Sequence, residues 1–285
     1  MSVVRFDFFR VRSAPEVPSL EIVLNTLRSQ PAEDRRIQLE DKVCMMLDDY
    51  FTAQGVHSYL FSRIRMDELP QVRGLDGQAE PLDLDDDEGL GEDVAIAYDP
   101  DLRIISIHRN RFAISHSSIF EFINNNAPGH YYFDPIFDRE VMNKFARMQA
   151  LKKTRIRFAG VQNFHFLSDQ EISENMKVSL TEMAECPYVD ITFSVGRRNR
   201  ELPSWVRKMI SLCAARPGEG EGEISTLEVT GADDAFGVSH TIDMIGQRFI
   251  YTGDVLRSGR NIDTAQLMRV ACNSIIAKRN DLLAV

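Results

Sequence analysis

Two short basic stretches stand out in a chain whose overall formal charge is −10. Residues 139–157 hold seven Lys and Arg side chains against one acid, and residues 196–208 hold five against one. Clusters of this kind can neutralise the phosphates of a nucleic-acid backbone and release its counterions. The candidate phosphate-contacting residues are Lys144, Arg147, Lys152, Lys153, Arg155, Arg157, Arg197, Arg198, Arg200, Arg207 and Lys208.

The spacing of two of these arginines indicates how they would be presented. Arg155 and Arg157 alternate with Ile156, so in a strand both would share one solvent face while Ile156 faces the core. The sequence contains no helix-turn-helix, zinc-finger or RNA-recognition signature, so we expect contacts to the backbone and weak sequence preference. A solvated face neutralised by neighbouring acids is the alternative interpretation.

Acidic residues are segregated from the basic ones along the chain. Residues 1–100 have a net charge of −11, whereas residues 101–200 have a net charge of +3. Gly, Pro and a dense acidic cluster predict an exposed loop at residues 74–93. Such a cluster could dock a basic partner, or it could cover the residues of the two basic stretches as an autoinhibitory loop. A merely solvated loop is the alternative. Its members are Asp83, Asp85, Asp86, Asp87 and Glu88.

Motifs for other chemistry are absent from the sequence. There is no phosphate-binding glycine loop, no HExxH zinc motif and no GxSxG nucleophile elbow, and the four cysteines form no CxxC pair. We therefore expect no enzyme activity, no metal and no cofactor. A metal-dependent nuclease or a nucleotide-processing enzyme is the alternative, for which the nearest carboxylate cluster with a lysine is Asp134, Asp138, Glu140 and Lys144.

The elements that would position these residues predict an α+β protein of two domains, each a mostly antiparallel sheet with packed helices. In the first domain, residues 1–128, a strand at 3–12 precedes a helix capped by Ser19, with Leu20, Val23, Leu24 and Leu27 on its apolar face. In the second, residues 129–285, strands alternate with helices predicted at 139–150, 170–185, 203–216 and 265–283. Ser117 or Ser118 is the predicted cap of a short helix before the boundary.

The order of elements resembles that of the RexA-like phage-exclusion proteins. The residues that carry the resemblance are Leu24-Asn25-Thr26-Leu27, the acidic loop at 86–91, the strand at 132–137 with its Asp-Pro, the strand at 189–191 and the helix at 265–280. It implies a homodimer that binds double-stranded DNA with little sequence preference and works with a separate membrane-protein effector. The Kiwa defence system, with its DNA-binding B subunit, has a similar arrangement.

The leading hypothesis is a non-enzymatic, sequence-nonspecific DNA-binding sensor of phage defence, and a protein-binding adaptor is a further alternative. No apolar run approaches the roughly 20 residues of a membrane span. The first twelve residues already carry Arg5, Asp7, Arg10 and Arg12, which argues against a signal peptide. We therefore expect a cytoplasmic protein that does not insert into the membrane.

Overall fold

A computed structural model describes residues 1–40, 42–85, 88–110, 113–159, 188–196, 201–215, 223–233, 238–246, 248–259 and 261–283. The predicted α+β class is confirmed, because helices accompany sheets whose strand pairings are antiparallel. The predicted helix at 170–185 lies outside the described residues. In the part of the chain that is described, no helix is long and apolar enough to cross a membrane.

The elements follow one another along the chain with strands predominating. In chain order they are β1 (Ser2–Ser13), α1 (Leu20–Arg28), β2 (Arg36–Glu40), β3 (Val43–Ala53), β4 (Val56–Arg65), β5 (Val72–Arg73), β6 (Ala79–Glu80), β7 (Leu90–Asp99), β8 (Ile104–His108), α2 (His116–Asn126), β9 (Tyr131–Pro135), α3 (Arg139–Arg147), β10 (Ala150–Ala159), β11 (Tyr188–Ser194), α4 (Ser204–Ala215), β12 (Glu223–Ala232), β13 (His240–Asp243), β14 (Ile250–Val255), β15 (Arg257–Ser258), β16 (Asn261–Ile262) and α5 (Thr264–Leu283).

Two compact units divide the chain. The first comprises Met1–Asp7, Val11–Tyr132 and Ile250–Ala284, and the second comprises Phe8–Arg10 and Phe133–Phe249. This division differs from the predicted domains 1–128 and 129–285, because β14 pairs with β1 and α5 packs on the first unit's sheet. Pairing between strands so far apart in sequence leaves no local signal in either one.

The large sheet of the first unit has the strand order β14-β1-β8-β7-β4-β3-β2, and β9 pairs with β1. One face packs on α5, where Ser274 donates a hydrogen bond to the Ser106 hydroxyl at 2.9 Å or accepts one from it. The other face packs on α1 and α2. There Tyr59 donates a hydrogen bond to Asn25 at 3.2 Å, and Phe61 contacts the ring of Phe122 edge-on.

Local signals explain several of these elements. The four apolar residues predicted on one face of α1 are all buried, which confirms the helical spacing. Ser115, rather than Ser117 or Ser118, caps α2, since its hydroxyl accepts the backbone N–H of Ser118 at 3.1 Å. Asp263 caps α5 by accepting the N–H of Gln266 at 3.0 Å.

The second unit contains a four-stranded sheet with the order β11-β10-β12-β13. Its core contains apolar side chains of α3 and α4 together with those of the strands. Met142 is 40% exposed, because the buried side of α3 is centred on Val141 and Phe145. The helix also ends at Arg147 instead of 150, where the chain enters β10.

Candidate nucleic-acid interface

Strand β10 carries three of the predicted phosphate contacts on one face, which we call the strand row: Lys153, Arg155 and Arg157. Ile156 between the two arginines is fully buried, so the predicted alternation is confirmed. Across the β10–β11 register Lys153 faces Ser194, Arg155 faces Thr192 and Arg157 faces Asp190. The row therefore lies on the polar face of the sheet, away from the core.

Asp190 neutralises much of this row. Its carboxylate accepts hydrogen bonds from Arg155, with Nη2 at 2.7 Å, and from Arg157, with Nη2 at 2.8 Å. The hydrogen bond from Arg155, followed by that from Arg157, lowers the pKa of Asp190 to about 2, so the carboxylate is ionised at neutral pH. One carboxylate thus holds both guanidinium groups.

Further acids share the face. Glu228 of β12 lies directly opposite Arg155, and Asp243 of β13 lies opposite Glu228. Three carboxylates therefore accompany the three cations of the strand row. The electrostatic fields of neighbouring opposite charges largely cancel at distances longer than the contacts between them. This face therefore offers little net attraction to phosphate.

Arg207 of α4 has a structural contact of its own. Its Nη1 donates to the carbonyl oxygen of Phe145 at 3.3 Å, and its Nη2 donates to that of Met148. Its guanidinium also lies 5.2 Å from the centroid of the Phe145 ring. These carbonyls belong to the last turn of α3 and the residue that follows it, where backbone acceptors lack helical partners.

The two basic stretches lie side by side through backbone hydrogen bonds. The N–H of Val195 donates to the carbonyl oxygen of Lys152 at 3.1 Å, and the N–H of Leu202 donates to the carbonyl oxygen of Leu151 at 2.7 Å. Together with Arg207, these bonds bring β10 and the end of α3 next to the start of α4. Stretches separated by about fifty residues in sequence therefore share one region of the second unit.

The remaining cations of this region form what we call the basic ledge: Lys144, Arg147, Lys152 and Lys208. All are exposed except Lys152, which is half-buried. Lys144 lies 3.9 Å from Glu140 one helical turn away, a contact of solvent-exposed groups that contributes little energy. Arg197, Arg198 and Arg200 lie outside the described residues.

The acidic loop is described only in part, because Asp86 and Asp87 fall outside the described residues. Asp83, Asp85 and Glu88 are exposed, and the N–H of Asp85 donates to the Glu88 carboxylate at 3.2 Å. Docking of a partner or autoinhibition by this loop stays a prediction.

Two of the three carboxylates proposed for a nuclease have local contacts. Asp138 caps α3 by accepting the N–H of Glu140 at 2.8 Å, and Glu140 itself contacts Lys144. Within the described ranges, no group of three or more His, Cys, Asp or Glu side chains could hold a metal ion.

An ionic cluster around a buried carboxylate in the first unit is not predicted by any sequence pattern. Asp7 of β1 is 1% exposed and accepts hydrogen bonds from Nε of Arg109, at 2.9 Å, and from its Nη2. Nε2 of His116, at the start of α2, lies 3.4 Å from the same carboxylate. The cluster ties β1 to the segment that joins β8 to α2.

Next to this cluster in sequence, His108 is 3% exposed. Burial lowers the pKa of His108 to about 4, and a hydrogen bond with the backbone of Asp93 opposes the shift. Its imidazole is therefore neutral at pH 7.

The amino-acid sequence matches a known protein family. Residues 3–269 match DUF6731, which is described as a family of unknown function. The chain belongs to this family. The match includes the strand row, the basic ledge and the Asp7 cluster, so these features lie within the DUF6731 region. No curated protein matches the chain.

Proposed function

We propose that this DUF6731 protein binds double-stranded DNA through the phosphate backbone, with little sequence preference, using the basic ledge of its second unit. The observation that carries the proposal is the backbone contact of Leu151 and Lys152 with Leu202 and Val195, which brings two basic stretches together. The strand row takes a secondary part, because Asp190 already holds Arg155 and Arg157.

Counterion release provides the physical basis of binding. Each phosphate neutralised by Lys or Arg releases condensed cations, so affinity falls steeply as salt is added. Lys and Arg contacts to phosphate position a protein on the duplex without reading its bases. The expected complex is therefore electrostatic and tolerant of sequence.

The polar face of the second sheet, which holds the strand row, lacks the features of a single-strand binding site. Single-strand binders stack exposed bases on aromatic side chains. Here the described positions on that face that neighbour the strand row hold hydroxyl and charged side chains, such as Thr192, Thr226 and Thr230. These positions provide no stacking platform for unpaired bases, and the proposed phosphate contacts lie on the basic ledge.

The biological role that we propose is a sensor of phage defence that acts with a separate effector protein. Its basis is the RexA-like order of elements together with the segregation of charge between residues 1–100 and 101–200. In this proposal the acidic first part contacts the partner while the basic ledge contacts DNA.

The test is a salt titration of binding to unrelated duplexes, with and without magnesium. A triple variant, Lys144→Ala with Arg147→Ala and Lys208→Ala, should weaken binding to all sequences equally. The slope of log K against log salt should fall by about 0.9 for each phosphate that the variant no longer neutralises. The matched control, with the same change in net charge in the first unit, combines Arg36→Ala, Arg73→Ala and Lys278→Ala.

The outcomes separate the alternatives. An equal decrease in affinity for both triple variants would mean that only net charge matters and would overturn the ledge as the binding site. Magnesium-dependent cleavage would establish a nuclease instead. Absence of binding at low salt would leave a protein-binding adaptor.

A further inference from the structure

Strand β14 forms one end of the large sheet, and β2 forms the other. In the described part of the chain, no strand pairs with the outer side of β14. Its six residues contain no Pro or Lys, carry a single charge at Asp254, and pair with β1 in unbroken register. By contrast β2 has Arg36 and Glu40 at its ends and a register shift. Natural sheets use charges and bulges to block edge pairing, so β14 is the unprotected edge.

Exposed apolar side chains accompany this edge, and we call them the edge strip: Met1, Val3, Ile250 and Leu256. Val3 is 67% exposed, Ile250 38% and Leu256 46%. Gly253 faces α5, since a Cβ at that position would lie 2.8 Å from Val270 Cγ1. Alternation therefore places Ile250, Thr252 and Asp254 on the face away from α5, and the register places Val3 beside Asp254.

We propose that β14 pairs antiparallel with β14 of a second copy of this chain, about a two-fold axis at Gly253. In this register Ile250 faces Leu256 of the second copy, Tyr251 faces Val255, and Thr252 faces Asp254. Apolar side chains then meet apolar ones, and a hydroxyl donates to each carboxylate. The large sheets of the two copies become one continuous sheet.

The neighbouring register provides a physical comparison. With the axis at Thr252, Ile250 would face Asp254 of the second copy, which would set a carboxylate against an apolar side chain at both ends. An edge that complements itself in one register favours a symmetric pair, because an isologous interface uses the same surface twice.

The first measurement is the molar mass of the full chain in solution, by light scattering or sedimentation, without DNA. The expected mass is twice 32.5 kDa at micromolar concentration. Ile250→Lys should shift the chain to a single copy, because pairing would bury the ammonium group against Leu256. The control is Ile22→Lys on α1, where Ile22 is 55% exposed and its helix contacts β3, five strands from β14.

Cysteine cross-linking tests the register. The double variant Ile250→Cys with Leu256→Cys should form a covalent dimer under mild oxidation, and Thr252→Cys should cross-link far less. A single-copy mass for the unmodified chain, or a dimer that Ile250→Lys leaves intact, overturns the proposal. More efficient cross-linking through Thr252→Cys would overturn the register. None of these results depends on DNA binding.

Discussion

Arg207 Nη1 donates a hydrogen bond to the carbonyl oxygen of Phe145, 3.3 Å away, and so joins α4 to the C-terminal turn of α3. A residue that sequence analysis assigned to phosphate therefore has its guanidinium directed at backbone acceptors. The two neighbouring basic residues also differ in burial, since Arg207 is half-buried and Lys208 is exposed.

Arg207→Ala should destabilise the fold. The substitution leaves partly buried carbonyls without their charged donor, and the free energy of unfolding should fall by about 1–3 kcal/mol. Urea denaturation followed by the fluorescence of Trp205, the single tryptophan, measures it. Lys208→Ala should cost less than Arg207→Ala, because the contacts of an exposed lysine contribute less than about 1 kcal/mol. Equal effects of the two substitutions would contradict the structural role of Arg207.

Asp190→Asn should strengthen binding to duplex DNA. The change removes the negative charge that holds Arg155 and Arg157, so the slope of log K against log salt should steepen by about 0.9 for each additional phosphate that is neutralised. Asp281→Asn, which changes the net charge equally in the first unit, is the control. If Asp190→Asn matches this control, the strand row does not approach phosphate.

Sequence patterns predicted the structural features that depend on residues close together along the chain. The spacing of Leu20, Val23, Leu24 and Leu27 indicated the buried face of α1, and the alternation about Ile156 indicated the shared face of Arg155 and Arg157. Both follow from the fixed periods of helix and strand.

Contacts set by pairing between distant strands could not be predicted in this way. Asp190 lies 33 residues from Arg157 along the chain, so it meets the strand row only through the β10–β11 register. The cluster of Asp7 with Arg109 likewise joins residues 102 apart. A single sequence contains no signal for such pairs, so an apparently basic segment could not be recognised as partly neutralised.

His108 should make stability depend on pH below neutrality. The unfolded imidazole titrates near 6.5 but the folded one near 4, so the unfolded state binds more protons between these values. Stability should therefore fall as pH decreases from 6.5 to 4, by about 3 kcal/mol in total from this residue.

The measurement is urea denaturation at pH 7, 5.5 and 4.5 for the unmodified chain and for His108→Phe. Since acidic groups also titrate at the low end, the relevant quantity is the difference in unfolding free energy between the two proteins. As pH falls, His108→Phe should lose less unfolding free energy than the unmodified chain. A difference between the two proteins that does not change with pH would rule out a buried neutral imidazole.

Arg279→Ala should be among the more destabilising substitutions at the surface of the first unit. Nη2 of Arg279 lies 2.5 Å from the carboxylate of Asp99, whose side chain is fully buried, while the Arg279 side chain is 37% exposed. Asp99 also accepts the N–H groups of Asp101 and Leu102, which keeps it in place after the arginine is removed. Leaving this carboxylate without its cation should cost about 3 kcal/mol.

The adjacent Lys278→Ala is a matched control, because Lys278 contacts Asp281 at 3.1 Å on the exposed side of the same helix. Pairs of this kind contribute less than about 1 kcal/mol. Chemical denaturation of both variants at pH 7 should therefore separate them by about 2 kcal/mol or more. Similar midpoints for both would show that Asp99 is satisfied by the turn alone, and that Arg279 does not hold α5 to the β7–β8 turn.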